Sequence, residues 1–416
     1  MEAVRRQTDI DNAATILRHL VGQIPEMKFG QDRHQFIQKL LSEQSETVRK
    51  ILRNKLDHFL YLMIPKEASD IDLGGTGCQG KIWYRIYGDK QPDAKLGNYS
   101  TDETDILILN LLSDKDQQFL FNHRYIDFSY TTVQNGTKYR FRATAYYDLS
   151  NLALNMRLIP NQIRPLSGLG LHPEVVKLLS LKYVQRGLVL ITGITGSGKS
   201  CTLDTIIDAN NRTCNAHIVI ISNPIEYVHD SIKSIVRHRE VGRDVLSFKE
   251  GTIQSLRQDP DIIVLGEVRD PDTIATVLEV ADSGHKVFTT LHTSSATESI
   301  DRILGETPPA EQTRIRERLA DVLVCVISQK LVPSLDGKLV LAKEVLVATP
   351  AVKTAIRNNN TDEIYQLIYQ SGHLGMITME QDLVNLYRAE KISYQEAYSN
   401  ANIKKRFEDL VRYYKI

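Results

Sequence analysis

Residues 187–200 read Gly-Leu-Val-Leu-Ile-Thr-Gly-Ile-Thr-Gly-Ser-Gly-Lys-Ser. The run 188–192 is apolar and β-branched, short enough for a strand buried on both faces, and glycines at 193, 196 and 198 punctuate its end. A helix-compatible segment, 203–209, follows directly. Strand, Gly-x-x-x-x-Gly-Lys-Ser and helix in that order are the context a phosphate-binding loop requires. The glycines let backbone N–H groups converge on an anion, and the helix presents its positive N-terminal end. Lys199 can then reach the outer phosphates, and Ser200 can supply a hydroxyl to magnesium. A glycine-rich turn that merely contains a lysine would match neither the spacing nor the flanking elements.

Outward from the loop, strands and helices alternate. The spans 188–192, 217–222, 261–266 and 286–291 are predicted strands, with helical stretches such as 248–257 and 272–281 between them. That alternation implies an α/β domain whose parallel sheet is covered by helices on both faces. The tail, 350–416, reads as mostly helical. Upstream, Pro160, Pro165, Ser167, Gly168 and Gly170 make a hinge or linker. Before it lies an α+β domain with an antiparallel sheet. There 70–73 and 81–87 form a hairpin, 126–133 and 138–146 flank Asn135-Gly136, 152–159 adds a strand, and Thr101 caps a helix over 102–112. Residues 1–64 are helical. Ile10, Ala13, Ile16, Leu17, Leu20, Val21 and Ile24 share a face behind a Thr8-x-x-Asp11 capping box, Pro25 and Gly30 end that helix, and a second pattern runs from Phe36 to Leu60. Helices packed on their own domain fit this stripe, and so does a face that docks a partner. The expected division is 1–64, 65–165 and 171–416.

The 416 residues suit about two or three domains. Lys plus Arg and Asp plus Glu both number 51, so no global charge draws the chain to nucleic acid or an anionic membrane. Cys78, Cys201, Cys214 and Cys325 form no Cys-x-x-Cys pair, which argues against a zinc ribbon or disulfide framework and for free thiols in a reducing cytosol. No N-terminal apolar h-region and no run of about 18 apolar residues appears in the sequence, so neither secretion nor membrane spanning is expected.

Ligands of open parallel sheets gather beyond the carboxyl ends of the strands. The predicted strand at 261–266 delivers Glu267, the placement of an acid that acts on magnesium or its water. After 217–222 comes Asn223-Pro-Ile-Glu226; Glu226 is either a general base for an attacking water or a solvated loop acid. His285 precedes the strand 286–291 and His292 follows it, too far apart to share a metal at about 3.3 Å per residue. His292, on the carboxyl side, is the better placed to contact phosphate.

Taken together, residues 193–200, Asn223-Pro-Ile-Glu-Tyr-Val-His229, Arg239-Glu-Val241, 259–270 and 284–296 resemble the Walker A, Asp-box, Walker B and His-box motifs of the type II/IV secretion ATPase superfamily. The resemblance is strongest to the pilus retraction branch, the twitching-motility PilT family. Ala68-Ser-Asp-Ile-Asp72 and Arg140-Phe-Arg-Ala-Thr-Ala-Tyr146 are similar to its PAS-like domain, and Gly372-His-Leu-Gly-Met376 to its tail. The likeness covers about 52–401.

It implies a RecA-like P-loop ATPase domain behind a PAS-like domain and a helical extension, assembled as a homohexameric ring that hydrolyses ATP with Mg2+ to retract a pilus. Gly193, Thr195, Gly196, Ser197, Gly198, Lys199, Ser200 and Cys201 would hold nucleotide, with His285. Ser200 and Glu267 would serve the metal. Glu226, Glu267, His292 and the arginines Arg142 and Arg157 would be catalytic, with Arg140 an adjacent alternative. Implied partners are an inner-membrane pilus platform protein and a paralogous pilus ATPase, at the cytoplasmic face of the inner membrane.

Several positions depart from the family. Ser222 and Asn223 replace the two leading acids of the Asp box, a usual arginine aligns with Ser150, Cys201 replaces a threonine, and Ala351-Val-Lys-Thr-Ala-Ile-Arg-Asn358 loosens the tail motif. A secretion or conjugation ATPase and a weakly active accessory nucleotide-binding subunit are the competing readings. A nucleic-acid motor fits neither the charge nor the motif set.

Overall fold

Asn135 and Gly136 take φ values of +50° and +77°, the left-handed pair that a two-residue hairpin turn needs. They join two long strands of a six-stranded antiparallel sheet. The sheet comprises β1 (Ala68–Gly74), β2 (Trp83–Ile86), β3 (Asp89–Pro92), β4 (Tyr125–Gln134), β5 (Thr137–Asp148) and β6 (Asn151–Ile159), in the order β3-β2-β1-β6-β5-β4. The molecule is seen as a computed structural model that describes residues 2–86, 88–159, 162–268 and 270–414, with side chains from residue 12 onward. The first helix, Glu2–Val21, already runs through Thr8 and Asp11, so the expected capping box does not open it, while the Ile10 contact, the strand position Tyr87, the linker residue Pro160 and Arg269 lie outside that description.

The first compact unit ends at residue 161. Its helices Glu2–Val21, Gly30–Ser42 and Glu46–Leu62 share one core with the sheet, in which Leu17, Leu41, Leu56 and Phe59 meet Ile71, Phe141 and Met156. Helices and sheet are therefore a single body. A buried polar joint runs through it: His34 Nε2 bonds Asp105 Oδ2 at 2.8 Å, Tyr147 Oη reaches His34 Nδ1, and Asp105 Oδ1 accepts the Leu152 N–H. The cap expected at Thr101 belongs instead to Ser100, which exchanges bonds with Glu103 in a reciprocal box, so the helix is Thr101–Leu109. A further helix, Asp114–His123, was invisible in the sequence pattern because it buries only Gln117, Leu120 and Phe121.

The second unit, from residue 162, is built on a seven-stranded sheet. Its strands are β7 (Gly187–Thr192), β8 (His217–Ser222), β9 (Ile235–Glu240), β10 (Ile262–Leu265), β11 (Lys286–Leu291), β12 (Leu323–Pro333) and β13 (Leu339–Val347). The order is β13-β12-β7-β11-β10-β8-β9, all parallel except the antiparallel pair β12–β13. Every residue of β7, β10 and β11 is buried, as expected of strands covered on both faces. Val189, Ile191, Ile218 and Phe288 pack on one face, and Leu188, Leu190, Val219 and Val287 on the other.

The tail from Pro350 is helical and packs on β12 and β13 through Val332, Ala342, Leu383 and Phe407. Glu344 of β13 is 3% exposed and accepts the Ala296 N–H at 2.8 Å. Ala296 and Met379, whose backbone N–H also bonds this carboxylate, each open a helix. Burial raises its pKa to about 7, against those bonds and with help from neighbouring Glu380.

The unfolded carboxyl titrates near about 4.3, so its contribution to stability is complete below that pH and is lost as pH rises through about 7. Glu344→Gln should consequently gain on the parent protein by up to about 3 kcal/mol between about pH 5 and about pH 8. Thermal melts of both proteins across that range would measure the gain; a difference that stays constant with pH would contradict the assignment.

Candidate nucleotide site

Matched parallel register brings four loops to one edge. Thr192 lies opposite Leu291, Leu265 opposite Thr289, and Leu265 opposite Ile221. The residues that continue these strands, Gly193, His292, Gly266 and Ser222, therefore leave from the same side of the sheet. At the other end Lys286 pairs with Gly187, so His285 sits at the amino edge, bonded to Ser283 Oγ at 3.0 Å. The length of β11 separates it from the loop by about 20 Å. His285 is thus not brought to the phosphate-binding loop, contrary to the role carried over by resemblance; β11 points only one of its two flanking histidines there.

The loop fits a phosphate. Lys199 opens the helix Lys199–Thr213 and donates to the carbonyl oxygens of Gly193 at 2.8 Å and Ile194 at 3.0 Å, which folds its ammonium back over the turn. The N-cap is Gly198, which brings no side-chain oxygen to the first-turn N–H groups, whereas Asp270 caps the helix Pro271–Asp282. Those N–H groups are what an anion would satisfy. Ser197 is buried, and its Oγ has no hydrogen-bond partner. Gly193, at φ +150°, admits no side chain: a Cβ there would lie 2.3 Å from Ser197 Oγ and 2.5 Å from the Gln329 carbonyl. Gly196, at φ +81°, faces open space. Thr195 and Ser200 are exposed on the loop.

Acids surround the lysine. Burial lowers the Lys199 pKa, and the charges of Glu267 and then Glu226 push it back. Both carboxylates therefore act on the same ammonium. Glu267 is set by its neighbours, since Thr290 Oγ1 donates to Gly266 O at 2.7 Å and Val268 N donates to Thr290 O at 3.3 Å. Its carboxylate lies 3.8 Å from His292 Nε2. Ser222 packs directly on Gly266, where a Cβ would come within 2.3 Å of Ser222 Oγ. The Cys201 thiol is raised by desolvation first, then by Asp204 and Glu226.

Arg142 and Arg157 belong to the first unit, as cross-strand partners on β5 and β6. Arg157 Nε bonds the buried Asp70 at 2.8 Å, and Arg85 approaches the same carboxylate at 3.8 Å. Asp70 thus orders Arg85 and Arg157, and Arg142 lies one strand further along the same sheet.

The family described as type II/IV secretion system protein matches residues 130–409, two thirds of the chain. PilT of Pseudomonas aeruginosa, a type IV pilus retraction ATPase, is 40% identical over 72% of this chain and 86% of its own. The chain belongs to the PilT family of type II/IV secretion ATPases. A twitching motility protein of Neisseria gonorrhoeae is 36% identical over 81% of this family member and 88% of its own length. Among solved structures, the pilus retraction motor PilT with bound ADP matches at a TM-score of 0.76 and 36% identity, covering 84% of this chain and 98% of that one.

Sequence reasoning missed Gln329. Its Nε2 donates to Ser197 O at 2.8 Å, so β12 props the phosphate loop from behind. Only the strand alternation of 323–333 could have pointed to it. Gln329→Ala should weaken nucleotide binding by about tenfold, the worth of one buried hydrogen bond. Titration with a fluorescent ADP analogue measures this, and parental affinity would rule out the prop.

Proposed function

We propose that this chain is an ATP-hydrolysing motor that drives retraction of a type IV pilus, working as a homohexameric ring. The observation that carries the hydrolytic reading is the convergence of Lys199, Glu267 and Glu226 on one sheet edge behind a phosphate-binding loop. The names of the relatives support the pilus.

In this reading the loop from Gly193 to Cys201 cradles the phosphates and Lys199 neutralises them. Ser200 and Glu267 would hold Mg2+, which supplies charge neutralisation on the outer phosphates. Glu226 takes the proton of the water that attacks the terminal phosphorus, while that phosphorus parts from the bridging oxygen and ADP leaves. His292 senses the site through Glu267. Arg142 and Arg157 are the guanidinium groups offered to the developing charge. Partners are further copies of this chain, an inner-membrane platform protein and a paralogous pilus ATPase, at the cytoplasmic face of the inner membrane. No helix among the described residues is long and apolar enough to cross a membrane.

Glu226→Ala should retain nucleotide binding and lose turnover by at least about 100-fold, the usual worth of a general base. Parallel binding and steady-state hydrolysis assays decide it, and near-parental turnover would remove Glu226 from the chemistry.

A further inference from the structure

Glu226 lies in an irregular stretch, 223–234, with no helix or strand of its own. A side chain on such a segment holds a catalytic position only if the segment is pinned. Two sets of bonds pin it on either side of Glu226. Ile225 N donates to Glu240 Oε2 at 3.4 Å, on β9. His229 is 4% exposed, and its Nε2 meets Asp204 Oδ1 at 3.0 Å. Its backbone N–H donates to His238 Nε2 at 3.0 Å. The His238 ring lies near-parallel to the His229 ring, at 10°, and Tyr227 meets the His229 ring edge-on with centroids 4.8 Å apart.

Asp204 stands on the helix that Lys199 opens, one turn beyond the phosphate grip. The Cys201 thiol on that same turn feels both Asp204 and Glu226. The Asp204–His229 bond therefore joins the element that holds phosphate to the loop that carries the acid. Packing alone does not account for the choice of residue. His229 Nδ1 is buried without a partner, so the ring bears the cost of one unmade bond, and an apolar ring would fill the same space but forgo the Nε2 bond to Asp204.

We propose that Asp204 and His229 are positioning residues: their bond fixes the loop 225–229 to the phosphate-loop helix, and so aims Glu226 at the water to be activated. The proposal rests on Glu226 being the general base. The pair acts through Glu226 and has no direct part in the chemistry.

Full-length Asp204→Ala, His229→Ala, the double variant, Asp204→Asn and Glu226→Gln test it, with kcat, KM for ATP and ADP affinity measured for each. Misaiming a catalytic group costs about tenfold to about a hundredfold, so each alanine variant should lose that much kcat with KM and ADP affinity unchanged. The double variant should be no worse than the worse single one. Asp204→Asn keeps an acceptor oxygen for His229 and should recover most of the loss. Parental kcat in the alanine variants beside an inactive Glu226→Gln would overturn the positioning role alone. So would multiplicative losses in the double variant, an Asp204→Asn as poor as the alanine, or a loss confined to KM. Parental turnover by Glu226→Gln would instead bring down the general-base reading, and the positioning role with it.

Discussion

The parallel pairing of β7, β11, β10 and β8 in matched register makes one site out of four separate loops. A slip of one residue would move a loop by about 3.3 Å and turn each side chain of its strand to the other face. Apolar strands buried on both faces resist such slips poorly through hydrophobicity alone. Close approaches at small residues do better. A Cβ at Gly187 would lie 2.6 Å from Val324 Cγ2, and one at Gly266 would strike Ser222 Oγ. The register holds where neighbouring strands press on glycine, and Gly193 extends the same restriction into the phosphate loop.

On that edge the charges are set against one another. Lys199 is buried among loop carbonyls, with two carboxylates acting on it. On the first unit Asp70 holds Arg157, with Arg142 as its cross-strand neighbour. A chain of bonds also leads away from the edge. His292 is followed by Thr293, bonded to Ser299, and by Ala296, whose N–H is held by Glu344. Glu344 in turn holds the first residue of the tail helix Met379–Arg388. The loop that follows β11 and the tail helix Met379–Arg388 thus share a buried carboxylate.

Much of this is legible in the sequence itself. β7, β8 and β11 announce themselves as short apolar runs closed by glycine or polar turns, and the Asn135-Gly136 hairpin by its turn chemistry. The phosphate loop and the placement of Glu267 followed from the same signals. Other features depend on partners distant in sequence. β9 reads as a charged segment because it is an edge strand, and the antiparallel pair β12–β13 gave no motif to start from. Gln329 becomes visible only when β12 is laid beside β7, and the Asp204–His229 pair only when the loop after β8 is folded back on the helix Lys199–Thr213. The three N-terminal helices carry a clear apolar stripe, but the sheet that receives it lies beyond residue 67. His285 shows the converse: a motif match placed it at the nucleotide, and strand polarity takes it to the opposite edge.

The measurement that bears most directly on these conclusions is steady-state ATP hydrolysis by the purified full-length protein, with its mass determined in the same buffer and Lys199→Ala as control. Turnover by a ring-sized assembly, abolished in the control, is the expected result. A ring that binds nucleotide but does not turn it over would contradict an autonomous motor and send the search to a partner ATPase.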